Sequence, residues 1–226
     1  MTQVCEPARR QIRRLSAEEF CVLAQKEACS LYRPRSEVLR MLAVGEVWGV
    51  PDAALIVLPL CADTAAAAAL RSYVGRKREI ETGCFLTPPV LHQPERLNEL
   101  LPVVSVRTER LARGGTLWAV LECGPEAEEL LPFYLKQGFV LRALRPLQSL
   151  APCFLLCNKF VAVQQELIQV RLEDKAYLAR LLAQGYGAVD CRPTRYGMVL
   201  MMALAQRNED EKNESCYIGK LCHGAG

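Results

Sequence analysis

The sequence predicts an α/β (α+β) fold, and three observations lead to it. Apolar runs of strand length, "AALIVLPL" at 53–60 and "TLWAVLEC" at 116–123, are bounded by turn residues. Amphipathic stretches carrying helix start and stop signals alternate with them. Between Leu131 and Arg142 the segment "LPFYLKQGFVLR" runs a helix to a glycine stop and directly into a strand. With 226 residues the chain is long enough for one large domain, or for one of roughly 150 residues with an appendage, and so can bury a substantial core.

Taken in order, Ser16 and Glu19 form a capping box, and Leu15 with Phe20 a hydrophobic staple, so a helix starts there and runs to about Cys29. A second helical pattern spans Ser36 to Val44, and 53–60 is a buried strand. Asp63 or Thr64 caps an alanine-rich helix from Ala65 to Tyr73 that stops at Gly75. "CFLTPPVLH", Cys84 to His92, is strand-like, but Pro88-Pro89 removes two successive backbone donors, so the strand is irregular or unpaired there. Gln93 to Arg113 is helical in pattern, broken or kinked near Pro102, and stops at Gly114-Gly115. After the strand 116–123, Pro125 opens a helix that carries Tyr134. Strands at 139–143 and 153–160 follow, joined by a Pro/Ser-containing loop, and close a main unit of residues 1–161.

Residues 162–206 read as a small β-α-β extension. "ELIQVRL" is its first strand and "EDKAYLARLLAQGYG" its amphipathic helix, with Tyr177, Leu178, Leu181 and Leu182 on one side and Gly185 as its stop. "MVLMMAL" is the closing strand, whose Met198, Met201 and Met202 read as packing. Residues 207–226 are a polar tail, flexible in expectation.

The bulk properties exclude more than they assign. Twenty-eight Lys and Arg against 25 Asp and Glu leave a net charge of +3, too small to imply a nucleic-acid or membrane partner. The local clusters Arg9, Arg10, Arg13, Arg14 and Arg76, Lys77, Arg78 read as solvated surface. No run approaches the roughly 18 apolar residues of a membrane span, which leads to the expectation of a soluble, cytoplasmic protein. Eleven cysteines are many, but the number is odd, and Cys61, Cys84, Cys123, Cys153 and Cys157 sit in apolar runs as reduced thiols do. Cys153-x-x-x-Cys157, and Cys216 with Cys222 and His223, lack a matching second half, so no metal site is expected. With only His92 and His223 present, catalysis built on histidine has little material.

Strand, helix, strand, tyrosine-bearing helix, Gly-Phe and strand, in this order, resemble the GNAT N-acetyltransferase superfamily. The likeness is concentrated in residues 83–143 and weaker over 11–82. It rests on Leu130, Phe133-Tyr134 and Gly138-Phe139, preceded by "TLWAVLEC" and by a helix ending in Arg113-Gly114-Gly115. The resemblance implies a mixed, mostly antiparallel central sheet flanked by helices. It implies a strand that splays from its neighbour, with the pantetheine arm of acetyl-CoA, the co-substrate, in the gap. The pyrophosphate then lies on N–H groups at the start of the next helix, where orphan donors and the helix dipole favour an anion. Carried onto this chain, Val90, Leu91 and His92 lie along the cofactor, and Arg96, Leu97, Asn98 and Glu99 form the phosphate turn.

That turn departs from the family's pattern of Gln or Arg, two residues, Gly, one residue, then Gly or Ala. From Gln93 the small-residue positions fall on Arg96 and Asn98. Glycine is wanted there because backbone must approach phosphate without a Cβ between them. Arg96 can pair with a phosphate, whereas Glu95 and Glu99 bring the opposite sign. The Asn that often precedes the tyrosine helix is replaced by Ala127.

Three readings stay open. In the first, the protein is an acyl-CoA-dependent N-acyltransferase that moves an acetyl group to a primary amine. The acceptor is a small molecule by default, a peptide N-terminus or lysine otherwise. Tyr134 is then the general acid for the departing thiolate, and Glu122 or Glu46, or a water chain, the base. In the second, a catalytically weak or inactive GNAT-fold protein serves as a binding or regulatory module. In the third, an unrelated α/β protein buries Tyr134 as a core aromatic and has no gap between strands 84–92 and 116–123. Monomer and dimer are both compatible with the sequence.

Overall fold

A computed structural model describes residues 12–26, 35–50, 52–61, 67, 70, 82–111, 116–146, 152–159, 162 and 167–205. The alanine-rich helix of 65–73 lies largely outside these residues, although Ala67 and Leu70 are helical and buried. Gly75, Gly114-Gly115, the 147–151 loop, Phe160, the tail, Arg9, Arg10 and the cluster at 76–78 lie outside them too.

The first helix forms for the reason its sequence gives. The Glu19 N–H donates to Ser16 Oγ at 3.1 Å and the Ser16 N–H donates to Glu19 Oε2 at 2.8 Å, a reciprocal capping box. It separates β1 (Arg13–Leu15) from α1 (Ala17–Lys26), and Leu15 and Phe20 are both buried. α2 (Arg35–Val44) leads through Gly45 into β2 (Glu46–Val50) and β3 (Ala53–Pro59). β2 has no counterpart in the sequence reading, because "EVWGV" breaks the apolar run with a glutamate and a glycine. Gly49 is required there, since a Cβ would lie 2.3 Å from the Ala53 carbonyl oxygen.

The strand expected over 84–92 is interrupted, as its prolines demand. β4 (Cys84–Leu86) and β5 (Val90–Leu91) flank Thr87-Pro88-Pro89. A 3₁₀ turn at Pro94–Arg96 enters α3 (Leu97–Leu111), which passes through Pro102 as one continuous helix. Of the break or kink expected near Pro102, the break is absent. β6 (Leu117–Glu122), α4 (Pro125–Lys136), β7 (Val140–Pro146) and β8 (Pro152–Cys157) follow. Gly138, at φ 82°, takes the left-handed conformation that ends α4.

The extension has one strand more than β-α-β. β9 (Ile168–Arg171), α5 (Lys175–Ala183), β10 (Tyr186–Thr194) and β11 (Gly197–Leu204) make it β-α-β-β. β10 was hidden because its outer half, "DCRPT", is exposed or half-exposed and carries no apolar run. Asp174 caps α5 by accepting the Tyr177 N–H.

The result is a mixed α/β structure on a mostly antiparallel sheet of eleven strands in the order β1-β2-β3-β4-β6-β8-β7-β10-β11-β9, with β5 beside β3. Only β4 and β6 pair in parallel among the described residues. One cross-strand row runs Glu46, Val57, Leu86, Ala119, Leu156, Leu141, Ala188, Met202, Ile168, so the register is continuous from β2 to β9. All but its two ends are buried, in one core shared with α3, α4 and α5. The opposite face packs on α1 and α2 through Phe20, Leu23, Val38 and Met41. No helix among the described residues is long and apolar enough to cross a membrane.

Candidate functional site

The parallel pair β4–β6 is short. Cys84, Phe85 and Leu86 oppose Leu117, Trp118 and Ala119, and the ladder then stops. Beyond it Val120 to Glu122 pair with β8 alone, while Val90 and Leu91 pair with β3. The cause is local. Pro88 and Pro89 offer no N–H, and Thr87 turns its polar groups to β3, where its N–H donates to Ile56 O and its Oγ1 accepts the Ile56 N–H. Two β3 residues, Leu55 and Ile56, face three on the other strand, Thr87 to Pro89, which is a β-bulge. Among the described residues, one edge of β6 beyond Ala119 pairs with no strand, at the centre of the sheet.

The chain then turns into α3. The His92 N–H donates to Asp52 O, the Arg96 N–H to Gln93 O, and the Leu97 N–H to Glu95 O and Pro94 O. Pro94 has no N–H to offer. Arg96 is held on both sides: Nη2 lies 3.0 Å from Asp52 Oδ2 and Nη1 2.9 Å from Glu99 Oε1. Its Nε is buried and has no partner among the described residues. The hydrogen bond with Glu99, followed by the Asp52 charge, raises the Arg96 pKa further. Asp52 escaped the sequence reading because its role depends on the turn between β2 and β3. Recognising "EVWGV" as a strand would have put Asp52 in the tight connection to β3, while its place opposite His92 follows from the β3–β5 register.

The remaining predicted residues fall as follows. Val90 is buried, Leu91 half-buried and His92 exposed. Leu97 is wholly buried in the core, so only its backbone faces the turn, and Asn98 Oδ1 is buried with no partner among the described residues.

Tyr134 is 0% exposed and meets Phe139 edge-on, with ring centroids 5.4 Å apart. Its hydroxyl has no hydrogen-bond partner among the described residues, and burial raises its pKa. α4, which carries it, packs on the 3₁₀ turn, α3, β6, β7 and β10. Tyr134 therefore stands on the side of the sheet where the 3₁₀ turn leads into α3.

The two candidate bases differ in place. Glu122 ends β6 in register with Cys153, which belongs to the core on the α1–α2 side. Strand alternation thus puts position 122 on the opposite side of the sheet from Tyr134. Glu46 heads the cross-strand row on the side of Tyr134. Its Oε2 accepts Trp48 Nε1–H at 3.2 Å and its Oε1 lies 3.3 Å from Arg14 Nη1.

No protein-family model matches this chain, and no curated protein does. Among solved structures, Ard1 from Thermoplasma volcanium is similar, with a TM-score of 0.41 and 15% identity, covering 65% of this chain and 95% of Ard1.

Proposed function

We propose that the protein is an N-acyltransferase of the GNAT type, moving an acyl group, acetyl in the simplest case, from a pantetheine thioester to a primary amine. Acetyl-CoA is the donor named by the sequence resemblance, and a small-molecule amine the default acceptor. One observation carries the reading: among the described residues the β4–β6 ladder stops at Leu86 and Ala119, leaving an edge of β6 without a strand beside the helix that holds a buried phenol with no partner. An extended arm bearing amide groups fits such an edge, because it supplies the pairing that the bulge removes. In the reaction the amine nitrogen forms a C–N bond to the thioester carbonyl carbon, the C–S bond breaks, and the departing sulfur takes a proton. Tyr134 is the donor, since a hydroxyl without a partner is free to give its hydrogen bond where charge develops. Glu46, on the Tyr134 side of the sheet, accepts the proton of the amine.

A thiol-release assay over a panel of primary amines, with acetyl-CoA and S-acetylpantetheine as donors, tests this. Release that depends on the amine is the expected outcome. Absence of release from both donors with every amine would refute the reading.

The engagement of Arg96 by two carboxylates favours a second reading, a GNAT-fold binding or regulatory module. Heat on titrating either thioester without turnover would select it.

A further inference from the structure

The turn at 92–99 poses a question of its own: what kind of donor does it accept? A diphosphate at a helix start needs unspent backbone N–H groups, room for close approach and net positive charge. Here the room and charge requirements fail, and part of the donor set is already used. The N–H groups of His92, Arg96 and Leu97 are spent on Asp52 O, Gln93 O, Glu95 O and Pro94 O, and Pro94 has none. Arg96 and Asn98 place side chains at the two positions where phosphate approaches backbone. The guanidinium of Arg96 has both terminal nitrogens on carboxylates, and its Nε is buried. With Asp52, Glu95 and Glu99 around it, the turn sets three carboxylates against one cation. The residues do not fit the diphosphate of CoA.

The open strand edge, by contrast, makes no demand for phosphate. It lies upstream of the turn, between Leu86 and Val90 on one strand and along Val120 to Glu122 on the other, and matches only the amide arm.

We infer that the natural acyl donor is a pantetheine thioester without a diphosphate. This deepens the transferase reading and rests on it. Two sources share that chemistry: a free acyl-pantetheine arm, and the phosphopantetheine arm of a carrier protein, whose single phosphodiester brings far less charge to the turn. The transfer itself is unchanged. The C–S bond breaks as C–N forms, the thiol leaves with its proton, and nothing is oxidised.

The test uses the full chain, one amine and three donors: acetyl-CoA, S-acetylpantetheine, and an acetylated phosphopantetheine carrier protein. The expected kcat/KM for S-acetylpantetheine exceeds that for acetyl-CoA by about tenfold or more, the size of one unfavourable charged contact of ~1.4 kcal/mol. A further gain on the carrier protein assigns that source, and equality with the free arm assigns the other. A tenfold preference for acetyl-CoA would overturn the inference while leaving the transferase reading intact. Absence of turnover with all three donors would overturn both.

A second measurement isolates the turn. Asp52→Asn with Glu99→Gln should move the donor ratio about tenfold toward acetyl-CoA by releasing Arg96. Should the double variant not fold, Glu99→Gln alone, with its half-exposed side chain, should move the ratio the same way. A ratio that does not move overturns the role given to the carboxylates.

Discussion

Among the described residues the buried Tyr134 hydroxyl has no partner, and such a donor forfeits its hydrogen bonds to water, typically about 1–3 kcal/mol. Tyr134→Phe should therefore leave the protein as stable as the wild type or more stable by ~1 kcal/mol, read from chemical denaturation. Turnover of a thioester donor should nevertheless fall roughly 10- to 100-fold. A stability loss would reveal a structural bond to the hydroxyl, and unchanged turnover would remove Tyr134 from the reaction. Tyr134 was legible in sequence as an aromatic ahead of a helix-ending glycine, and Gly138 takes the conformation that motif requires. The sequence placed Arg96 as a cation at the start of a helix, but its capture by Asp52, 44 positions away, depends on tertiary pairing that no local pattern encodes.

At the level of elements, local chemistry was readable wherever it was self-contained. The Ser16–Glu19 box, the glycine stop after α4 and the disruption at Pro88-Pro89 all follow from neighbours in sequence. β2 and β10 did not, since each is held by cross-strand partners and carries polar residues on an exposed or half-exposed side. The β1–α1 junction also yields a pH prediction. The hydrogen bond from Arg13, then the backbone bond from Ser16, lower the Glu19 pKa to about 2. A lowered carboxyl contributes stability that is present above its unfolded pKa of roughly 4.3 and is lost as pH falls toward about 2. The melting temperature of Glu19→Gln should thus trail the wild type by a constant margin between pH 5 and 8, and the margin should close near pH 2. A margin that persists at pH 2 would show that the charge of Glu19 contributes nothing at the junction.

For the molecule as a whole, the continuous cross-strand row ties the extension to the rest. Ala188 pairs with Leu141, and Leu178, Leu181 and Met202 share one buried core with Tyr134 and Leu97. We expect the two parts to unfold together: circular dichroism and Trp fluorescence should give coincident denaturation curves. A chain ending at residue 161 should be insoluble or molten, having exposed Leu141 and Phe139. Two separate transitions would make the extension an independent unit. The fold class was legible because short continuous apolar runs, alternating with amphipathic stretches, announce a sheet with cores on both sides. The strand order was not, because it is decided by which edges meet.

The extra residue between Leu86 and Val90 acts as a change of phase. Before it, the even positions Cys84 and Leu86 serve the core of α3 to α5, and Phe85 the other; after it, Val90 belongs to the α1–α2 core and Leu91 packs on the first. Removing one proline would restore strict alternation and extend the β4–β6 ladder while leaving Val90 and Leu91 on the faces they now hold. Such a deletion should close the gap in the sheet without exchanging the faces of the residues that lead into the turn. Loss of thioester binding with secondary structure retained, by calorimetry and circular dichroism, is the result expected of it.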